Sequence, residues 1–271
     1  MVAFTDKDHS YYLIDKPETK LTSITTLVHA MCPVFDAPAQ AAKSSVNKRS
    51  KWYGMEPAQI IAAWDEERDR SVVLGTWYHN KREAALLTPE ARAVHNIFAP
   101  NIKDNVKYAL SQQLEEGTYP EFLCYLLSSS ICGQSDLVTV KDAVINIRDY
   151  KTSKEIRTKG YGNNYTGPQM MLSPVSHLED CEFNHYSLQL SLYMYMLLRH
   201  NPNLKPGSLI IEHVIFEEEG QNKFGYPIHK LVDGEPVVKE VKEIVLPYMK
   251  NECQAIINWL KNNKNKVVKH A

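Results

Sequence analysis

No run of about 18 apolar residues, the length a membrane helix needs, occurs in the sequence, so no membrane partner is expected. The opening, "MVAFTDKDHSYYLID", has neither the basic nor the apolar stretch of a signal peptide, and a cytoplasmic protein is expected. Cysteine is sparse and scattered. Cys32, Cys124, Cys132, Cys181 and Cys253 form no CxxC pair, which favours reduced, mostly buried thiols over a disulfide framework. Repeats and low-complexity tracts are missing as well. Net charge is nearly absent: 31 basic and 32 acidic residues leave −1, so any polyanionic partner must be met by local basic patches.

What the sequence does hold is a large core. With 271 residues and 44% hydrophobic content it supports one elaborated domain or two closely packed lobes. Residues 4–26 read as a hairpin, "FTDKDHSYYLID" and "KLTSITTLV", around a Lys16-Pro17-Glu18-Thr19 turn. From 36 to about 116 the pattern is helical, clearest in "PAQIIAAWDEERDRSVVLGTWYHNKREAALL" and "PEARAVHNIFAPNIKDNVKYALSQQLEE". Beyond 117 come strands, "EFLCYLLSSS", "ICGQSDLVTV" and "AVINIRDYKTS", then a loop-like stretch and the long apolar helix "HYSLQLSLYMYMLLRH". The strands "SLIIEHVIFEEE" and "GYPIHKLV" precede a closing helix expected from about 238 to 264.

The stretch "VINIRDYKTSKEI" poses the chemical question. Alternation along a strand puts Ile145, Ile147, Asp149 and Lys151 on one face, so two charges continue the core-facing row. If Lys141-Asp142 is a two-residue turn, Asp136 lies opposite Ile147 on that same face, one diagonal step from Asp149 at roughly 7–8 Å. A slip of one residue would reverse the face of Asp136. Two acids crowded together call for a positive charge, and a divalent cation with oxygen ligands is a natural one. A lysine beside it can orient a water and stabilise charge on a phosphate, so the trio suits phosphodiester hydrolysis. A strand running into solvent with an exposed ion pair is the alternative.

Other residues are ambiguous singly. Gln189 and Tyr193 lie four apart in the apolar helix and read as core residues or as part of a site. His79 and Glu83 lie one turn apart after Gly75-Thr76, which could start a helix. Together the order is informative. "GTWYH" (75–79), Glu121, "GQSDLV" (133–138), "IRDYKTS" (147–153) and "QLSLY" (189–193) resemble the successive motifs of the RecB-like branch of the PD-(D/E)XK nuclease superfamily, in its phage and mitochondrial genome maintenance exonuclease forms.

The resemblance implies an α/β restriction-endonuclease-like core, a mixed central sheet flanked by helices, plus an α-helical N-terminal region. Residues 1–116 would form the N-terminal hairpin and helical region contributing His79, and 117–271 the nuclease core with its closing helix. His79, Asp136 and Asp149 would bind metal, Lys151 would be the catalytic lysine, and Gln189 and Tyr193 would brace the site. Glu121 is either a further metal acid or the exposed start of a core strand. The cofactor would be Mg2+ or Mn2+. Some relatives carry a four-cysteine iron–sulfur cluster; here Cys253 stands alone near the C-terminus, so none is expected. A zinc site from His177, Cys181 and His185 lacks a fourth ligand.

DNA is the implied partner, single-stranded or with free ends, in a bacterial or phage-infected cell, with a replication or recombination protein as a possible second partner. Lys43, Lys48, Arg49 and Lys51 beside Trp52 and Tyr53 combine charge with stacking surface, and Lys154, Arg157 and Lys159 follow the catalytic lysine. Each set, like the basic tail "KNNKNKVVKHA", also reads as a solvated face. The expected activity is exonucleolytic, in replication, recombination or repair. A structure-specific or nicking endonuclease and a non-cleaving DNA-binding module are the alternatives.

Overall fold

The computed structural model describes residues 1–5, 10–109, 111–163 and 167–267. In chain order the elements begin with β1 (Val2–Thr5), β2 (Ser10–Leu13), β3 (Lys16–Lys20), β4 (Thr22–Ser23), α1 (Ile24–His29), α2 (Ala37–Val46), α3 (Pro57–Leu86) and α4 (Pro89–Val94). There follow β5 (Asn101–Lys103), β6 (Val106–Ala109), β7 (Gly117–Leu126), β8 (Ile131–Lys141), β9 (Val144–Lys151), β10 (Gly162–Asn163), β11 (Gly167–Pro168) and α5 (Glu182–His200). The chain closes with β12 (Lys205–Phe216), β13 (Glu218–Gln221), β14 (Pro227–His229), β15 (Leu231–Val232), β16 (Glu235–Pro236), β17 (Val238–Leu246) and α6 (Lys250–Val267). The fold is mixed α/β. Among the described residues, no helix is long and apolar enough to cross a membrane.

The central sheet runs β17-β12-β9-β8-β4, with β7 on the other edge of β8. It is mixed: β12 is parallel to β9 and β4 to β8, whereas β7, β8, β9 and the β12/β17 pair are antiparallel. Helix α5 lies against it, with Leu188, Leu190, Leu192, Met194, Met196 and Leu197 all fully buried. A helix apolar on nearly every side needs such cover, here from the sheet, α1 and α6. A smaller antiparallel sheet, β3-β2-β1-β6-β5, joins the N-terminal strands to residues 101–109.

The structure departs from the sequence pattern at five places. "SITTLV" is helix α1, not strand, because the Ser23 hydroxyl accepts the Thr26 N–H at 3.0 Å and Ile24, Leu27 and Val28 enter the core. Residues 16–20, expected as a turn, are strand β3. The helical pattern from 95 onward gives way to β5 and β6, joined by Asp104-Asn105, both at positive φ as a tight hairpin requires. Gly75-Thr76 lies within α3 and starts no helix. Residues 238–246 form edge strand β17 on β12; "VKEVKEIVL" has helical spacing, but its β-branched residues complete the ladder instead.

The β8/β9 hairpin differs in a way that matters to function. The pattern predicts a turn at Lys141-Asp142, whereas Lys141 pairs with Val144 and the turn is Asp142-Ala143, at φ 51° and 60°. The shift is two residues, so each side chain keeps its expected face. Asp136 moves from a diagonal position to one beside Asp149, just past the paired Leu137 and Arg148. Alanine is strained at positive φ, so Ala143→Gly is expected to stabilise the fold by about 1 kcal/mol, read as a higher denaturant midpoint with an unchanged slope. An unchanged or lower midpoint would show that the turn is relaxed with alanine.

Candidate active site

Asp136 from β8 and Asp149 from β9 end the hairpin side by side, at 8% and 2% exposure. The Asp136 Oδ2 accepts the Tyr150 backbone N–H at 2.7 Å, which locks the carboxylate against the neighbouring strand. Asp149 is ion-paired with the Lys151 ammonium, two residues on and on the same face. The Lys151 ammonium also lies 5.0 Å from the centre of the Tyr186 ring on α5.

Helix α3 brings His79 over the pair. Its Nδ1 is 3.4 Å from Asp136 Oδ1 and 3.8 Å from Glu121 Oε1, and its Nε2 is 3.3 Å from the Tyr150 carbonyl. The ligand atoms of His79, Glu121 and Asp136 lie within 4.8 Å of one another, near enough to share one ion. Glu121 is buried within β7 in a left-handed conformation, φ 49°, and is bonded by the Gln134 amide. It is therefore not the exposed start of a strand. Strain of this kind, about 1–3 kcal/mol, persists where surrounding structure enforces it.

Two helices fix this geometry from opposite sides. On α3, Arg82 reaches Glu212 of β12 at 3.6 Å, and Arg148 of β9 reaches the same carboxylate at 3.1 Å, tying helix to sheet three residues beyond His79. On α5, the Gln189 amide donates to the Tyr193 hydroxyl at 3.1 Å. A Cβ at Gly133 would come within 2.6 Å of the Tyr193 ring, so the glycine of "GQSDLV" admits the tyrosine of "QLSLY". These motifs meet by packing.

Burial disfavours the charged His79 imidazole, yet Glu121, Asp136 and Asp149 outweigh it and raise its pKa to about 9. Burial, then the Asp149 charge, pushes the Asp136 carboxyl up to about 8 against the opposite pull of His79 and Lys151. Burial works against the Lys151 ammonium too, but Asp149 and Asp136 more than compensate and raise it. Crowding of the acids thus favours bound positive charge in the cup, whether protons on His79 and Asp136 or one divalent cation in their place.

The basic residues divide. Lys48, Arg49, Lys154 and Lys159 are exposed, and Lys154 lies near enough to Lys51 for their charges to interact. Arg157 is engaged, paired with Glu182 and stacked 3.7 Å from the Tyr161 ring. Trp52 is no stacking surface: only 6% exposed, it packs on Trp64, Phe224 and Tyr226. Its place beside four cations in sequence hid a core residue. Tyr53 stays exposed. His177, Cys181 and His185 do not converge: His177 pairs with Glu252, and Cys181 is buried at the start of α5. Residues 268–271 of the basic tail lie outside the described residues.

No family model matches this chain, and no curated protein does. The site itself contains a residue that the sequence pattern missed. Lys107 on β6 approaches Glu121 Oε2 at 3.6 Å. Its position was masked by a helical pattern, although the "KDNV" turn signal was there to be read.

Two outcomes are expected. Asp136 and His79 both hold protons more tightly folded than unfolded, so their stabilisation is complete below the unfolded values of 3.8 and 6.5 and is lost as pH rises through about 8 and about 9. Melting temperatures in chelator should fall from pH 6.5 to 9, and Asp136→Asn should flatten that fall; a wild-type curve that rises would contradict it. Trp52→Ala should cost about 3–5 kcal/mol of stability, measured by denaturant unfolding. A fully stable Trp52→Ala chain with weakened single-strand binding would restore the stacking role.

Proposed function

We propose that this chain hydrolyses DNA phosphodiester bonds with Mg2+ or Mn2+, working from free ends on a restriction-endonuclease-like core of the RecB-like PD-(D/E)XK type. The observation that carries the proposal is the buried Asp136/Asp149 pair on adjacent strands with Lys151 on the same face. A structural ion network has no need of a histidine and two acids, His79, Glu121 and Asp136, with ligand atoms within 4.8 Å of one another beside a third buried acid, Asp149.

The donor set fits a hard divalent cation, being carboxylate oxygens with one imidazole. Asp149 Oδ2 is buried and, apart from the Lys151 ammonium, meets no donor. Asp136, Asp149, Glu121 and His79 would hold the ion, which when bound polarises the phosphate and lowers the pKa of a water. Lys151 is placed to orient that water and to stabilise the charge that grows on the phosphate oxygens. The water oxygen bonds to phosphorus, the bridging P–O bond breaks, and the leaving oxygen takes a proton. Tyr186 covers the Lys151 ammonium, and Gln189 with Tyr193 braces α5 against the sheet at Gly133.

The reading of end-dependence follows from the RecB-like motif order; a cleft beyond Lys151 is lined by Arg70, Lys154 and His229 but also by Glu67 and Glu218. Near it, Lys51 donates to the Phe224 carbonyl at 2.9 Å and Trp52 packs on Phe224 and Tyr226, so the loop between β13 and β14 is latched to the α2–α3 region. If DNA passes beneath that loop, a strand end can thread it and a closed circle cannot.

With magnesium, end-labelled linear DNA should be shortened progressively while covalently closed circles survive, and a chelator should stop the reaction. Rapid cutting of circles would replace the exonuclease with an endonuclease, and full activity in chelator would remove the metal. Lys151→Ala should slow single-turnover cleavage about a hundredfold or more while DNA affinity changes by no more than one phosphate contact. Loss of affinity with an intact rate at saturation would make Lys151 a DNA clamp.

A further inference from the structure

A second cluster of ligating side chains lies outside the acidic cup and shares no residue with it. Cys32 follows α1, Asp180 precedes α5, and His185 stands in the first turn of α5. The Cys32 sulfur is 3.3 Å from His185 Nε2, and Asp180 Oδ1 is 2.6 Å from the same nitrogen. All three donor atoms lie within 4.8 Å of one another.

Convergence on one nitrogen separates two possibilities. In a Cys-His-Asp relay the thiol sits on one ring nitrogen and the carboxylate on the other, so that the acid orients the base. Here sulfur and carboxylate both approach Nε2, which offers either one N–H or one lone pair and can serve only one of them fully. Without a metal the ring serves Asp180 and the thiol turns to the Val28 carbonyl, 3.5 Å away; a cation seated among the three would engage sulfur, nitrogen and oxygen together. A thiol, an imidazole and a carboxylate form a mixed soft and hard set, which suits tetrahedral zinc and does not suit magnesium.

From this geometry we propose that Cys32, Asp180 and His185 bind a zinc ion, with solvent in the fourth position, which the half-buried setting of all three side chains leaves open. Outer contacts support the set. The Gln169 amide donates to Asp180 Oδ2 at 2.6 Å, and the Asp180 N–H donates to the Gln169 carbonyl at 2.8 Å. The ion ties the end of α1 to the start of α5. Tyr186, the residue after His185, is the one whose ring faces Lys151, so the zinc holds one wall of the acidic cup without touching its chemistry.

Cobalt titration of the chelator-stripped full chain tests the assignment. About one equivalent should bind with the strong visible bands of tetrahedral cobalt and a near-ultraviolet sulfur-to-metal band. Cys32→Ser should lose the sulfur band and Asp136→Asn should keep it, which separates this site from the acidic cup whether or not the chain cuts DNA. Gln169→Ala should weaken cobalt binding about 10–100-fold. Should Cys32→Ser fail to fold, alkylation of the wild-type chain gives the answer: zinc should slow the modification of Cys32 selectively. No sulfur band in the wild type, a band that survives in folded Cys32→Ser, or alkylation of Cys32 indifferent to zinc would each overturn the assignment.

Discussion

Two carboxylates buried side by side repel each other, and neither can be hydrated. Asp136 and Asp149 are in that position, and much of the surrounding structure reads as its consequence. The Lys151 ammonium, the His79 imidazole and, through Glu121, the Lys107 ammonium stand around them. Each comes from a different element: β9, α3 and β6. The neighbours that neutralise the acids are thus held by tertiary structure, and the strained backbone of Glu121 is kept in place by the same contacts.

Three constraints hold that arrangement. The Asp142-Ala143 turn sets the register that places the acids together. The Arg82, Glu212 and Arg148 chain holds α3, and therefore His79, on the sheet. Close packing of Tyr193 on Gly133 sets the height of α5 and of Tyr186 above Lys151. The proposed zinc ion would anchor the first turn of that helix. In the last two of these constraints a residue far from the acids in sequence, Glu212 or Tyr193, helps to decide their geometry, so substitutions there should act on the proposed metal site through position.

The central row was legible because it rests on the two-residue period of a strand. Asp149 and Lys151 share a face whatever the turn, and the misplaced turn still put Asp136 on the right side because the error was even. Helices α3 and α5 were legible from their length, 30 and 19 residues without an internal proline. Short elements were not: β5 and β6 are three and four residues long, and the pairing of β6 with β1 that anchors them lies in tertiary structure. Strand β17 fits helical spacing equally well, and only its neighbour β12 decides. Trp52 was misjudged because sequence shows adjacency to cations and not depth. Cys32 and His185 stand 153 residues apart, and neither carries a spacing motif that could announce the other.

The central claim is that the buried acid pair exists to hold a divalent ion. Crystals of the full chain soaked in Mn2+ test it most directly, through anomalous scattering. The account predicts a manganese peak within coordinating distance of Asp136 and Asp149, with Glu121 or His79 completing the shell. A fully occupied peak elsewhere, with the Lys151 ammonium and a protonated Asp136 left as the only partners of the pair, would contradict it.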